Sequence, residues 1–254
     1  MLPIARKAKI KEIIAEKKNV TVAELTNLFG VTEETIRRDL KQLEQEGFLT
    51  RIYGGAYIND GVLNDVDVNL REHIYVEGKR KIAEKCVEFI QHGVSVFLDA
   101  STTSLYIARM LENRRITVVT NSIKIVNALI DNPNVHLIVT GGSISRQSMS
   151  ALGRGALQSL GGYFFDLAFI SCRSLSRQHG ITDSNEQQAE VRRLAAERAN
   201  RTYLVADITK FDRTSFAHIC GFDKIHTVVV DKPLDAEWRE FLEQQGVELV
   251  ECES

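Results

Sequence analysis

Six short apolar runs, Val94 to Leu98, Ile116 to Val119, Val135 to Val139, Leu167 to Ile170, Tyr203 to Val205 and Thr227 to Val230, alternate with amphipathic stretches of helical length. Runs of this kind carry no polar face, so each needs cover on both sides. Strands that alternate with helices obtain that cover as a parallel sheet with helices packed over it. The later part of the chain is therefore read as an α/β unit built on a mostly parallel sheet. Trp238, Phe241 and Leu242 then form an apolar stripe ahead of a strand-like VELVE, a structural end in which Trp238 serves the core or a subunit contact.

In open sheets of this class ligands bind outside the carboxyl ends of the strands, so the residues following each run are the informative ones. The first run ends in Asp99-Ala100-Ser101-Thr102-Thr103, small hydroxyl residues that open a helix. Amide groups, hydroxyls and the helix dipole converge there on one point, an anion cradle. The second run ends in Thr120-Asn121-Ser122 and the third in Thr140-Gly141-Gly142. Ser122 is assigned to helix capping. Three polar ends in register are better explained by a polar ligand than by three coincidental caps. Further on, Gly180-Ile181-Thr182-Asp183 precedes a helix containing Glu186, and the fifth run is followed by Asp207 and Lys210.

The first 58 residues are of another kind. They carry ten Lys/Arg against eight Asp/Glu, a charge of +2 that leaves −4 for the remainder, a sign that allows approach to a polyanion. Ile10, Ile13 and Ile14 recur at helical spacing in a first helix. Thr21-Val22-Ala23-Glu24 matches a capping box and starts a second, which ends near Phe29-Gly30. Thr32 caps a third, TEETIRRDLKQLEQE, that stops at Gly47. At about 100° per residue Ile36, Leu40 and Leu43 share one inward stripe. Glu34, Thr35, Arg38, Lys41 and Gln42 then point the other way, and Arg37 lies on the flank. Arg37 and Arg38 can grip phosphate and groove together, while the short side chains of Thr32 and Thr35 let the helix N-terminus come close. FLTRIYGGAYI has strand formers on both sides of Gly54-Gly55, either a plain structural hairpin or, after a recognition helix, a wing from which Arg51 and Tyr53 reach phosphates or the minor groove. Asn59 to Leu70 is polar and irregular and is taken as the linker. This divides the chain into a DNA-binding domain over 1–58, a linker over 59–70 and a larger domain over 71–254.

These segments resemble a known family. VTEETIRRDLKQLEQEGFLTRIYGGA is similar to the helix-turn-helix and wing of DeoR-type bacterial sugar-metabolism regulators, and LREHIYVEGKRKIAEKCVEFIQHGVSVFLDASTT to the entry of their effector domain. VVTNS, IVTGG and VADITKF extend the similarity over almost the whole chain. The resemblance implies a winged helix-turn-helix joined to an effector domain similar in fold to sugar-phosphate isomerases, operator DNA and a phosphorylated sugar as partners, and a homo-oligomer. It implies an effector pocket at Asp99, Ser101, Thr102, Thr103, Asn121, Gly141, Gly142, Glu186 and Lys210. Where relatives carry a glycine-rich turn after the fourth strand, this chain has FISCRSLSRQHGITDSN. Cys172 and Arg173 are bulkier than glycine, and Arg173 either adds a second anion contact or points to solvent.

The alternative is a sugar-phosphate isomerase with an accessory N-terminal module, which needs a carboxylate poised as general base, nominally Asp99, Asp183 or Glu186. The paired-acid segment expected of such enzymes is absent where FISCRSL stands, and TIRRDL and the wing are left without a purpose, so a non-enzymatic repressor is expected. With 44% hydrophobic and 26% charged residues, disorder is excluded as the main state. The four cysteines and six histidines form no metal-ligand or disulfide pattern, so no metal or other cofactor is expected. No apolar stretch reaches the roughly 18 residues of a membrane span, and the charged N-terminus lacks a signal-peptide core, which places the protein in the cytoplasm with no membrane partner.

Overall fold

The computed structural model describes residues 2–17, 19–52, 54–57, 68–72, 75–112 and 114–252. The chain forms two units, Met1–Ile74 and Tyr75–Ser254.

The first unit runs α1 (Pro3–Lys17), β1 (Asn19–Thr21), α2 (Val22–Phe29), α3 (Glu33–Gln45), β2 (Thr50–Ile52), β3 (Gly55–Tyr57) and α4 (Val68–Glu72). The capping box at Thr21 is complete: its hydroxyl accepts from the Glu24 N–H, and the Glu24 carboxylate accepts from the Thr21 N–H at 2.9 Å. Gly30 ends α2 at φ 62°, a left-handed conformation that costs glycine nothing. Ile10, Ile14, Leu25, Ile36, Leu40 and Leu43 pack into one core. The wing is an antiparallel hairpin of β2 and β3, and β1 adds a third strand beside β3. That strand has no signal of its own in sequence, because three residues reveal no period and only β3 makes them a strand. Gly54 takes a positive φ in the turn, while Gly55 already pairs with Ile52. Of the stretch taken as linker, Val68–Leu70 is helical; the rest, 59–67, lies outside the described residues.

The second unit runs α5 (Val76–Phe89), β4 (Ser95–Leu98), α6 (Thr102–Arg109), β5 (Ile116–Thr120), α7 (Ile123–Leu129), β6 (Val135–Val139), β7 (Ser143–Ser145), β8 (Ser150–Leu152), α8 (Arg154–Leu160), β9 (Phe165–Ile170), β10 (Ser174–Ser176), β11 (Gly180–Asp183), α9 (Glu186–Glu197), β12 (Ala199–Ala206), β13 (Ala217–Cys220), β14 (Thr227–Val230), α10 (Ala236–Gln244) and β15 (Glu248–Glu251). All six apolar runs are strands, and with β15 they make a parallel sheet in the order β15-β14-β12-β9-β4-β5-β6. Both faces are covered, as their composition requires: Phe97 packs into the core on one side, Val96 and Leu98 into that on the other. The chain leaves β4 in one direction for β5 and β6, then returns to β4's other side for β9, so the strand order switches between β4 and β9.

Two small antiparallel sheets, β7-β8 and β10-β11-β13, are added to this frame. The segment FISCRSLSRQHGITDSN forms the end of β9, all of β10 and β11, and the start of the turn into α9. Trp238 belongs to the core rather than to a subunit contact: it is 1% exposed, edge-on to Phe211 and Phe241, and its indole N–H donates to Asp212 at 2.9 Å.

Candidate functional site

In the first unit, α3 presents the residues expected to meet DNA. Thr32 caps the helix, and its hydroxyl also lies 3.0 Å from that of Thr35. Glu34, Arg37, Arg38, Lys41 and Gln42 are exposed, whereas Ile36, Asp39, Leu40 and Leu43 are buried. Arg37 pairs with Glu33 one turn back at 3.0 Å. Among the described residues Arg38, Lys41 and Gln42 make no side-chain hydrogen bond or ion pair, so these groups are available to a partner without breaking anything. Arg51 has a local engagement: its N–H and guanidinium donate to the two carboxylate oxygens of Glu44 at 2.9 and 2.7 Å. These hydrogen bonds hold the Glu44 carboxyl below its usual range and fasten the wing to α3. Tyr53 lies outside the described residues.

In the second unit, a buried polar residue directly follows each strand from β14 to β6. Across the sheet these are Asp231, Asp207, Ser171, Asp99, Asn121 and Thr140. Ser171 and Asp99 stand at the switch between β9 and β4, where open α/β sheets offer a crevice. There the Asp99 carboxylate uses both oxygens: one accepts from the Ser101 N–H (3.1 Å) and the Ser104 hydroxyl (2.6 Å), the other from the Ser171 N–H (3.0 Å) and Arg192 Nε (2.6 Å). Burial pushes the Asp99 carboxyl up, but the Arg192 guanidinium and these hydrogen bonds outweigh it and hold it below the usual carboxylate range. Arg192 also pairs with Asp183 at the end of β11, and all three side chains are at least nine-tenths buried.

The hydroxyl of Ser101 is taken by its cap on Ser104, leaving Thr102 and Thr103 to carry the first-turn amides of α6, which have no acceptor within a helix. Asn121 clasps the β7-β8 hairpin, its amide N–H donating to the Ala151 carbonyl at 3.2 Å. Its carbonyl Oδ1 and the hydroxyl of Thr140 are buried without a hydrogen-bond partner among the described residues. Gly142 packs against the start of α8, where a β-carbon would fall 2.5 Å from the Leu152 carbonyl oxygen; Gly141 has open space around it. On the other flank Lys210 is half-buried with Nζ 3.7 Å from Asp207. Burial raises the Asp207 carboxyl, and Lys210, Thr209 and Lys79 more than offset it. Arg173 is half-buried, its backbone N–H donating to the Thr182 carbonyl at 2.9 Å. Cys172 beside it is buried, which pushes its thiol far above the ordinary range.

The edge thus brings together Asp99, Ser101, Thr102, Thr103, Asn121 and, on its far flank, Lys210. Glu186 is exposed at the start of α9 and lines a groove of about 270 Å³ with Glu190, Arg193, Phe216 and His218, which holds none of the other candidates. Arg192 and Lys79 escaped the reading of the sequence. Both occupy the inward stripe of a helix, Arg192 with Gln188, Ala189 and Ala195, Lys79 with Ile82, Ala83 and Cys86. A charge on an apolar stripe was the available signal.

The DeoR-like helix-turn-helix domain matches residues 6–62, and the DeoR C terminal sensor domain matches residues 74–232. The chain is 36% identical to the uncharacterized HTH-type transcriptional regulator YulB of Bacillus subtilis, over 98% of this chain and 96% of that one. It is 35% identical to the putative aga operon transcriptional repressor of Escherichia coli O157:H7, over 96% and 92%. A solved ribose 5-phosphate isomerase from Methanocaldococcus jannaschii shares 16% identity at a TM-score of 0.39, covering 52% of this chain and 53% of its own, a likeness too low to bear on function.

Proposed function

Because the chain belongs to the DeoR family of DNA-binding transcriptional regulators, we propose that it represses a carbohydrate-catabolism operon under the control of a phosphorylated sugar. Arg38, Lys41 and Gln42 read the major groove, Arg37 and the wing engage phosphate, and the sugar sits at the carboxyl edge of the large sheet. The protein acts as a homo-oligomer in the cytoplasm, since one winged module contacts too few bases to select a site alone.

The observation that carries the effector reading is the pair of buried acceptors without a partner among the described residues, Asn121 Oδ1 and Thr140 Oγ1, at the ends of adjacent strands on that edge. A buried acceptor without a donor costs about 1–3 kcal/mol. Hydroxyl groups of a polyol supply the missing donors, while the first-turn amides of α6 and Lys210 suit its phosphate. Asp99 is assigned to shaping this cradle, because both its oxygens are spent within the protein. The same fact argues against isomerase chemistry: Asp99 and Asp183 are held by Arg192, and the exposed Glu186 lines a groove that holds none of the other candidates.

The ligand changes DNA affinity only through its differential binding to two arrangements of the protein. The test is a fluorescence-anisotropy titration with a labelled duplex from the protein's own upstream region, repeated with a panel of sugar phosphates. Specific binding that one sugar phosphate weakens is expected. A panel that leaves both DNA affinity and melting temperature unchanged overturns the effector reading, and turnover of a panel member overturns the non-enzymatic one.

A further inference from the structure

The recognition helix carries a charge where packing calls for an apolar residue. Asp39 sits among Ile36, Leu40 and Leu43 on the buried face of α3 and is 2% exposed. Its carboxylate accepts from Nε of Arg6 on α1 at 2.6 Å, and Arg6 is itself 4% exposed. Removing two charges from water costs more than most such pairs return, and a buried ion pair is commonly no more stabilising than apolar residues of the same size. Stability is therefore a poor reason for this pair, and geometry a better one.

Hydrophobic attraction has no direction of its own, and a Leu/Ile core can repack around a modestly altered helix orientation. A buried guanidinium–carboxylate contact is directional: at about 100° per residue, a turn of α3 that lifts Asp39 away from Arg6 carries Arg38 and Lys41 away from the outward direction by the same angle. We propose that the Arg6–Asp39 pair is a positioning device that sets the azimuth of α3, and hence that both residues determine DNA sequence discrimination without touching DNA.

The test compares wild type with the apolar double variant Arg6→Met/Asp39→Leu in the full chain. The probes are a duplex selected by the wild-type protein from a random pool and a scrambled duplex of equal length and composition. The double variant is expected to remain folded and bind the scrambled duplex within about twofold of wild type, since phosphate contacts tolerate small rotations. Its preference for the selected duplex is expected to fall about tenfold, the discrimination carried by roughly one base pair. Asp39→Asn, which keeps shape and a weaker hydrogen bond, is expected to fall between the two. An unchanged preference in either folded variant overturns the proposal. Loss of folding in both also overturns it, since the pair then acts as a stabilising contact. Failure to select any duplex would instead count against DNA reading by α3 itself.

Discussion

Arg192→Met tests the electrostatic frame of the effector unit. The guanidinium is the shared partner of two carboxylates, its side chain is 6% exposed, and Asp99 is 1% exposed. Methionine matches its apolar stem but leaves Asp99 and Asp183 without their cation, and stripping one partner from a buried pair costs about 3–5 kcal/mol. For a unit of this size each kcal/mol moves the midpoint by about 2–4 °C, so a fall of roughly 6–20 °C is expected at neutral pH. The chain's single tryptophan, Trp238, is buried in this unit, so its fluorescence during heating reports the α/β unit in the intact protein. The loss has a definite pH dependence. In wild type the Asp99 carboxyl is depressed, so its contribution is complete above the unfolded value of about 3.9 and disappears only as pH falls through the folded one. Without Arg192 burial dominates, the carboxyl rises, and the variant recovers stability as acid protonates it. The gap between wild type and variant is therefore expected to be wide at pH 8 and narrower at pH 5. A deficit under about 3 °C, or one of equal size at both pH values, refutes the reasoning.

Two further outcomes are expected. Arg38→Ala should weaken operator binding and spare the shift in melting temperature induced by the effector, whereas Lys210→Ala should do the reverse; equal loss of both functions in either folded variant rules out this division of labour. Gly142→Ala combines a φ of +124° with a β-carbon 2.5 Å from the Leu152 carbonyl oxygen and should cost about 2–4 kcal/mol, while Gly141→Ala, in open space, should stay within about 0.5 kcal/mol in chemical denaturation.

The α/β architecture and the winged helix-turn-helix were legible in the chain because both rest on local periodicity. Strands apolar on both faces admit few folds, and caps such as Thr21 with Glu24, or a turn glycine such as Gly30, act within a few residues of themselves. The polar residues after each strand were legible for the same reason, since the end of an apolar run marks where the chain emerges from the sheet. The use made of those residues depends on partners far away in sequence. Asp99 reads as a ligand group until Arg192, 93 residues on, and the Ser171 amide saturate it. Glu186 reads as a pocket group, and folding places it in the lining of a groove with Arg193 and His218; Arg51 reads as a phosphate contact, and folding also ties its backbone N–H and Nε to Glu44. β1 exists only because β3 lies alongside. Periodicity tells which way a side chain points; what it meets there is set by chain segments that only folding brings together.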